Sequence, residues 1–261
     1  MNKKLIISLI VGLFMLSTIT YADRLSDIKK RGVLVVGLKS DAKPFSYKSR
    51  SGKLIGFEVD LIKKMTKYMG VRYKFVPVTS KNRFEYVLSG KIDIALATAT
   101  HTIQRDSKVD FSISYFYDGQ AILSRKSLAA GSYKDLAGKR MGAVKGSTSG
   151  VVFEVIQPLA KMFYFKTIKE AVQAIYNNKI DAVTSDYGLL NSHFKDSKGK
   201  LKIVGKRFTL EPYGMSMREN ESNLRDEINF AIQHTVKNGD YNKIYRKWFG
   251  VSAPRKPVLW P

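Results

Sequence analysis

The chain has 261 residues, 44% of them hydrophobic, and its 45 Lys and Arg against 22 Asp and Glu give a formal charge of +23. With no cysteine, disulfides, thiolate metal sites and a lipid-modified N-terminal cysteine are excluded. The basic residues are scattered over predicted helix faces and turns, without a zinc-finger or RNA-recognition signature, so the charge reads as a solvated surface that concentrates anions rather than a nucleic-acid interface.

In chain order, Lys3 and Lys4 precede an apolar run over residues 5–16, and a small-residue stretch follows that ends at Ala22. That is the layout of a secretory signal peptide cleaved after Ala22. The apolar run is short of the ~20 residues that a bilayer-spanning helix needs. Removing residues 1–22 takes away two lysines and no acidic residue, leaving 239 residues with a charge of +21. No later stretch is long and apolar enough to span a membrane.

From there, strand-length apolar runs alternate with segments of helical period. Residues 33–38 read as a buried strand, and Leu61, Ile62, Met65, Tyr68 and Met69 give residues 58–69 an amphipathic helical stripe. Residues 74–78 read as a strand, 83–88 as a short helix and 92–97 as another strand. The second half repeats the theme: a strand over 141–145, a Gly/Ser/Thr turn over 146–150 and a helical stretch. Thr167 and Glu170 form a capping box for a helix with Ile168, Ala171, Val172 and Ile175 on one face, which feeds a strand over 180–184. A Lys-Ile-Asp tripeptide opens a strand twice, at 91–93 and 179–181, as two similar α/β lobes would produce. Leu224, Ile228, Ala231, Ile232 and Val236 mark a long helix that closes the chain, with Asn238-Gly239 as its stop. Alternation of this kind predicts parallel sheets covered by helices.

The ordered set of residues 23–28 (DRLSDI), 32–37 (GVLVVG), 44–47 (PFSY), 56–61 (GFEVDL), Asn82-Arg83, 89–93 (SGKID), 110–112 (DFS) with Tyr115-Phe116, 146–148 (GST), 180–182 (IDA) through Asp186, Tyr213-Gly214 and 247–249 (KWF) resembles the periplasmic amino-acid-binding proteins of ABC importers. Within them it resembles the glutamate/aspartate binders. The resemblance implies an α/β, two-lobed periplasmic-binding-protein fold of type II, hinged between lobes and closing on its ligand. Lobe 1 would hold residues 23–117 and 212–261, and lobe 2 residues 118–211. It also implies a monomer in the periplasm that takes up an amino acid, needs no cofactor, and delivers its ligand to an inner-membrane ABC permease.

An amino acid carries a carboxylate and an ammonium, and burying both demands partners for each. Arg105, just past a buried strand, can grip the α-carboxylate bidentately, with Thr98 and Thr100 adding hydroxyl and backbone partners; the resemblance assigns these positions the same job. Asp186 ends a strand, where ligands of open α/β sheets bind, and would take the ammonium; its alternative role is the N-cap of the next helix. Ser147 and Thr148 lie on a Gly-flanked turn whose N–H groups favour an anion, although Thr148 could equally be a structural turn residue. The Gly-Lys-Ser/Thr ending of a nucleotide-binding loop is missing. Lys39 and Arg83, with Ser80 nearby, resemble the contacts that the acidic-ligand branch makes to a side-chain carboxylate; the alternatives are a solvated lysine and a surface arginine. Ile168 departs from the branch, which often has His or Tyr there. His101, His193 and His234 have neither metal spacing nor a nucleophile partner. The competing readings are an exported dehydratase on the same fold, for which Asp186 is expected to be the only cleft carboxylate, and a binder of a neutral amino acid.

Overall fold

The computed structural model describes residues 23–254, so the signal-peptide reading of residues 1–22 and the tail 255–261 lie outside the described residues. The first half runs α1 (Arg24–Arg31), β1 (Val33–Leu38), β2 (Asp41–Ala42), β3 (Ser46–Lys48), β4 (Leu54–Ile55), α2 (Phe57–Met69), β5 (Arg72–Pro77), α3 (Arg83–Leu88), β6 (Ile94–Ala95), α4 (Ile103–Asp106), β7 (Asp110–Phe111) and β8 (Phe116–Asp118). The middle holds β9 (Gln120–Arg125), a 3-10 turn (Tyr133–Leu136), β10 (Arg140–Val144), α5 (Thr148–Ile156), β11 (Lys161–Phe165), α6 (Ile168–Tyr176), β12 (Ala182–Asp186), α7 (Tyr187–Asp196) and β13 (Leu201–Val204). The chain then returns through β14 (Glu211–Tyr213), β15 (Ser216–Met217), α8 (Ser222–Lys237) and α9 (Asp240–Phe249).

Two five-stranded sheets form, in the orders β5-β1-β6-β15-β7 and β11-β10-β12-β9-β13. In each, the first three strands are parallel and the fourth runs antiparallel. This is the two-lobed α/β architecture expected from the sequence. β8 and β14 pair with each other, Glu211 opposite Asp118 and Tyr213 opposite Phe116, and carry the chain from one sheet to the other and back.

The repeated Lys-Ile-Asp has a physical reason. Ile92 packs on Gly37 in β1, and Ile180 on Gly142 in β10, each so closely that a Cβ on the glycine would meet the isoleucine Cδ1 at 2.5 and 2.6 Å. Each aspartate then closes a loop with its neighbouring strand. Val35 N–H donates to Asp93 at 2.6 Å and Arg140 N–H donates to Asp181 at 2.8 Å. Two arginines balance each carboxylate, Arg24 and Arg31 at Asp93, Arg125 and Arg140 at Asp181.

The larger core lies under lobe 1, where Leu61, Ile62 and Met65 of α2 meet Leu224, Ile228 and Ile232 of α8. An aromatic cluster of Phe45, Phe57, Phe116, Tyr213 and Phe249 backs the β8–β14 pair, with ring centroids 4.9–6.3 Å apart where Phe45 meets the others. Edge contacts of this sort contribute roughly 0.5–1.5 kcal/mol per pair beyond area burial.

Three expectations need correction. The strand expected over 92–97 shrinks to Ile94–Ala95, because Thr98 turns into the left-handed region (φ 47°) and bends the chain toward the cleft. The long helix does not close the chain: after Asn238, Gly239 (φ 81°) reverses direction and α9 packs Tyr241 and Ile244 into the core. In the capping box, Thr167 accepts from Glu170 N–H as expected, but the Glu170 carboxylate reaches back to Lys166 N–H rather than to the cap residue.

Candidate functional site

Between the lobes lies a cleft, and all nine residues singled out from the sequence line it: Lys39, Ser80, Arg83, Thr98, Thr100, Arg105, Ser147, Thr148 and Asp186. Asp41, Thr79, Lys166, Ile168, Ser185 and Leu189 also line it, with Ala42 and Val144. Asp186 is therefore not the only carboxylate there, since Asp41 also faces the space. It escaped notice because it sits in a two-residue strand with no periodic signal.

Lobe 1 contributes cations. Lys39, at the end of β1, is buried and donates to Thr98 Oγ1 at 2.7 Å. Burial, reinforced by the Arg83 charge, pushes the Lys39 ammonium down to about 8, against the pull of Asp41, Asp186 and Glu58. Arg83 is no surface arginine: only 1% exposed, it donates through Nη1 to the carbonyls of Ala97 (2.7 Å) and Thr98 (3.1 Å), while its Nε has no partner. Burial and then Arg105 lower it to about 9. Arg105 donates to Thr100 O (2.8 Å) and, across the cleft, to Gly146 O (3.1 Å). The guanidinium thus braces both lobes, a role with no signature in the sequence. Gly146 (φ 80°) must be glycine for this approach, because a Cβ there would meet Ser80 O of the other lobe at 2.6 Å.

Lobe 2 contributes a carboxylate and a helix start. Asp186 occupies the N-cap position of α7, yet its buried side chain makes no capping bond and meets the Tyr213 hydroxyl instead. The capping is done instead by Asp118 of the connecting strand β8, whose Oδ2 accepts Gly188 N–H at 2.8 Å and whose Oδ1 accepts Gly119 N–H at 2.9 Å. Asp186 is left to face the cleft, and burial holds its carboxyl above the usual range. Burial together with the nearby Asp186 charge raises Asp118 to about 7. Ser147 precedes α5 and donates to Val144 O at 2.8 Å. The Thr148 hydroxyl donates to Glu211 (3.2 Å) and accepts from Gln120 (3.2 Å), which ties it to the β14 crossing.

Sequence reasoning missed Glu58, which belongs to no wall yet lies directly beneath one. Fully buried in the first turn of α2, it accepts from Thr98 N–H (2.8 Å), Tyr115 O–H (2.5 Å) and Ser46 O–H (3.0 Å). Thr98 itself is a β-branched residue at positive φ, a conformation that costs on the order of 1–3 kcal/mol and persists only where the surroundings over-determine it.

The profile of the bacterial extracellular solute-binding proteins, family 3, matches residues 34–251. The chain belongs to that family. Among its relatives, the glutamine-binding protein of a Bacillus subtilis ABC transporter is 36% identical over 231 residues, covering 87% of this chain and 84% of that one. A glutamate/aspartate import solute-binding protein of Salmonella typhimurium is 26% identical, covering 89% of this chain and 81% of that one. Among solved structures, an ancestral arginine-binding protein bound to glutamine superposes with a TM-score of 0.82 at 38% identity, over 85% of this chain and 99% of that one. For this family 3 chain the cleft between the sheets is therefore the place to look for a solute. Among the described residues no group of His, Asp and Glu could hold a metal ion, and no helix is long and apolar enough to cross a membrane.

Proposed function

We propose that this family 3 protein captures an acidic amino acid, glutamate or aspartate, and hands it to an ABC importer permease. One observation carries the reading. A buried carboxylate, Asp186, and a buried guanidinium nitrogen, Arg83 Nε, border the same cleft; Arg83 Nε has no partner, and Asp186 meets the Tyr213 hydroxyl but forms no salt bridge. Buried charges this thinly paired are costly, and a zwitterion with an anionic side chain adds a partner to both. In this reading Asp186 takes the ammonium, Arg105 with Thr98 and Thr100 takes the α-carboxylate, Ser147 and Thr148 add the α5 N-terminus, and Lys39, Arg83 and Ser80 take the side-chain carboxylate. The side-chain end holds Lys39, Arg83 and Ser80 as donors against Asp41 as acceptor, and this excess of donors is what favours a carboxylate over an amide.

The named relatives are binding proteins for glutamine and for glutamate/aspartate, which supports transport rather than catalysis and makes a neutral amide the competing ligand. We further propose that residues 1–22 are removed on export, that the mature protein is a periplasmic monomer without cofactor, and that lobes 23–117 plus 212–261 and 118–211 close about β8 and β14. Calorimetric titration of the mature protein with aspartate, glutamate, glutamine, histidine and arginine tests the ligand. Tightest binding of glutamate or aspartate supports the reading, and tightest binding of a neutral or basic amino acid overturns it. An Asp186→Asn variant should bind every amino acid at least about tenfold more weakly, since a charge-assisted bond is lost. Mass spectrometry of the exported product should find Asp23 at the N-terminus.

A further inference from the structure

We propose that Glu58, which does not touch the cleft, is the positioning residue that sets the acidic-ligand preference, by holding Thr98 in the one backbone conformation that presents both Lys39 and Arg83. This rests on the acidic-ligand reading above. The argument follows the polar groups of Thr98. Its N–H is bound by Glu58 Oε1, its Oγ1 accepts from Lys39 Nζ, and its carbonyl, together with that of Ala97, accepts from Arg83 Nη1. Every polar atom of Thr98 is thus committed, one to Glu58 and two to the proposed specificity cations.

The backbone at Thr98 is at φ 47°, where a threonine does not rest unaided. The Glu58 carboxylate is the group that takes its amide. Glu58 is fixed in turn by Tyr115 and Ser46, and by its own N–H, which donates to Phe45 O at 2.9 Å. Gly56, just before it, admits no Cβ, since one would lie 2.0 Å from Phe45 O, so the entry to α2 has one path. Released from Glu58, Thr98 would relax toward negative φ. The peptide planes on both sides of it would turn, moving the Thr98 and Ala97 carbonyls from Arg83 and Oγ1 from Lys39. Glu58 also favours the charged form of buried Lys39, so its loss would act on that cation a second time.

A residue that merely supports the scaffold would weaken all ligands alike. A positioning role predicts a change in discrimination. The experiment titrates glutamate and glutamine into wild type, Glu58→Gln, Glu58→Leu, Lys39→Met and the Glu58→Leu/Lys39→Met double variant. Glu58→Leu should lower the glutamate-to-glutamine affinity ratio by about tenfold or more, the scale of an unpaired charged donor. Glu58→Gln, which keeps an acceptor for Thr98 N–H, should recover most of that ratio. The double variant should fall below Lys39→Met alone by less than the Glu58→Leu loss in the wild-type background, because Lys39 carries part of the Glu58 effect and only the part through Arg83 remains. An unchanged ratio in Glu58→Leu, or equal losses for both ligands, overturns the proposal. If Glu58→Leu does not fold, Tyr115→Phe and Ser46→Ala each remove one donor that fixes Glu58; a reduced ratio in these supports the proposal and a wild-type ratio in both overturns it. The ligand-free crystal structure of Glu58→Gln or Glu58→Leu supplies a readout that needs no ligand. Thr98 at negative φ in Glu58→Leu supports the mechanism, and Thr98 unmoved there overturns it. Failure of the acidic reading is recognised separately, by a wild type that prefers glutamine.

Discussion

The two lobes are built on one plan and put to opposite uses. Each has a β-α-β-α-β frame with the same strand order, the same glycine under an isoleucine, and an aspartate balanced by two arginines at the far end of the sheet from the cleft. At the cleft end they diverge. Lobe 1 presents Lys39, Arg83 and Arg105 against a single carboxylate, Asp41, with Glu58 behind them, while lobe 2 presents Asp186, Lys166 and the start of α5. Asp181, just before β12, and Asp186, at its end, show the contrast. Hydrogen-bonded to Arg140 and Arg125, Asp181 is brought down to about 2, whereas burial raises Asp186 against the pull of Tyr213, Lys39 and Arg83. One aspartate is spent on the fold; the other is the one we propose for the ligand's ammonium.

Breaking the cleft end should therefore cost binding and spare stability, and breaking the far end should do the reverse. The largest effect is expected from Arg105→Ala, which removes both the proposed α-carboxylate clamp and the brace to Gly146: ~2–5 kcal/mol of ligand binding, between about thirtyfold and several thousandfold in Kd. Calorimetry checks it, and the urea midpoint of the ligand-free protein should barely move. At the far end, Asp93→Ala leaves Arg24 and Arg31 facing each other and Val35 N–H unpaired. It should cost on the order of 2–4 kcal/mol of unfolding free energy, below the full cost of a sealed ion pair because both arginines are partly exposed. Affinity of the folded fraction should stay at the wild-type value.

Next in size is Lys39→Met, with an expected loss of about 1–3 kcal/mol for glutamate and far less for glutamine. The pH dependence sharpens the same point. Lys39 loses its proton in the free protein near pH 8, below its ordinary range because it is buried. A bound carboxylate would hold the proton on, so glutamate affinity should be level up to about pH 7.5 and then fall by up to about tenfold per pH unit. Glutamine shares the ammonium but not the side-chain carboxylate, so it should not show this fall near pH 8, and neither should Lys39→Met. At the acid end the sign reverses: Asp186, raised by burial, must lose its proton to meet the ammonium, so affinity for any amino acid should drop as pH falls through its titration. Profiles for the two ligands measured side by side separate the lobes' contributions.

What could be read from the sequence was what depends on neighbours in the chain. Helical spacing located α2 and α8, and the Gly/Ser/Thr turn located the start of α5, because amphipathic period and turn chemistry act over a few residues. The repeated Lys-Ile-Asp announced two related lobes, and strand ends pointed to Arg105 and Asp186. Only the tertiary structure decided which polar groups are spent and which are left over. Asp186 could have capped α7, but Asp118, 68 positions earlier, does so instead. Arg83 could have been solvated, but the Thr98 bend buries it. Glu58 had no visible purpose until residues 46, 98 and 115 were brought onto it. The reason is that a buried charge is defined by every partner within about 4 Å, and these partners come from distant stretches of the chain, so no local pattern records them.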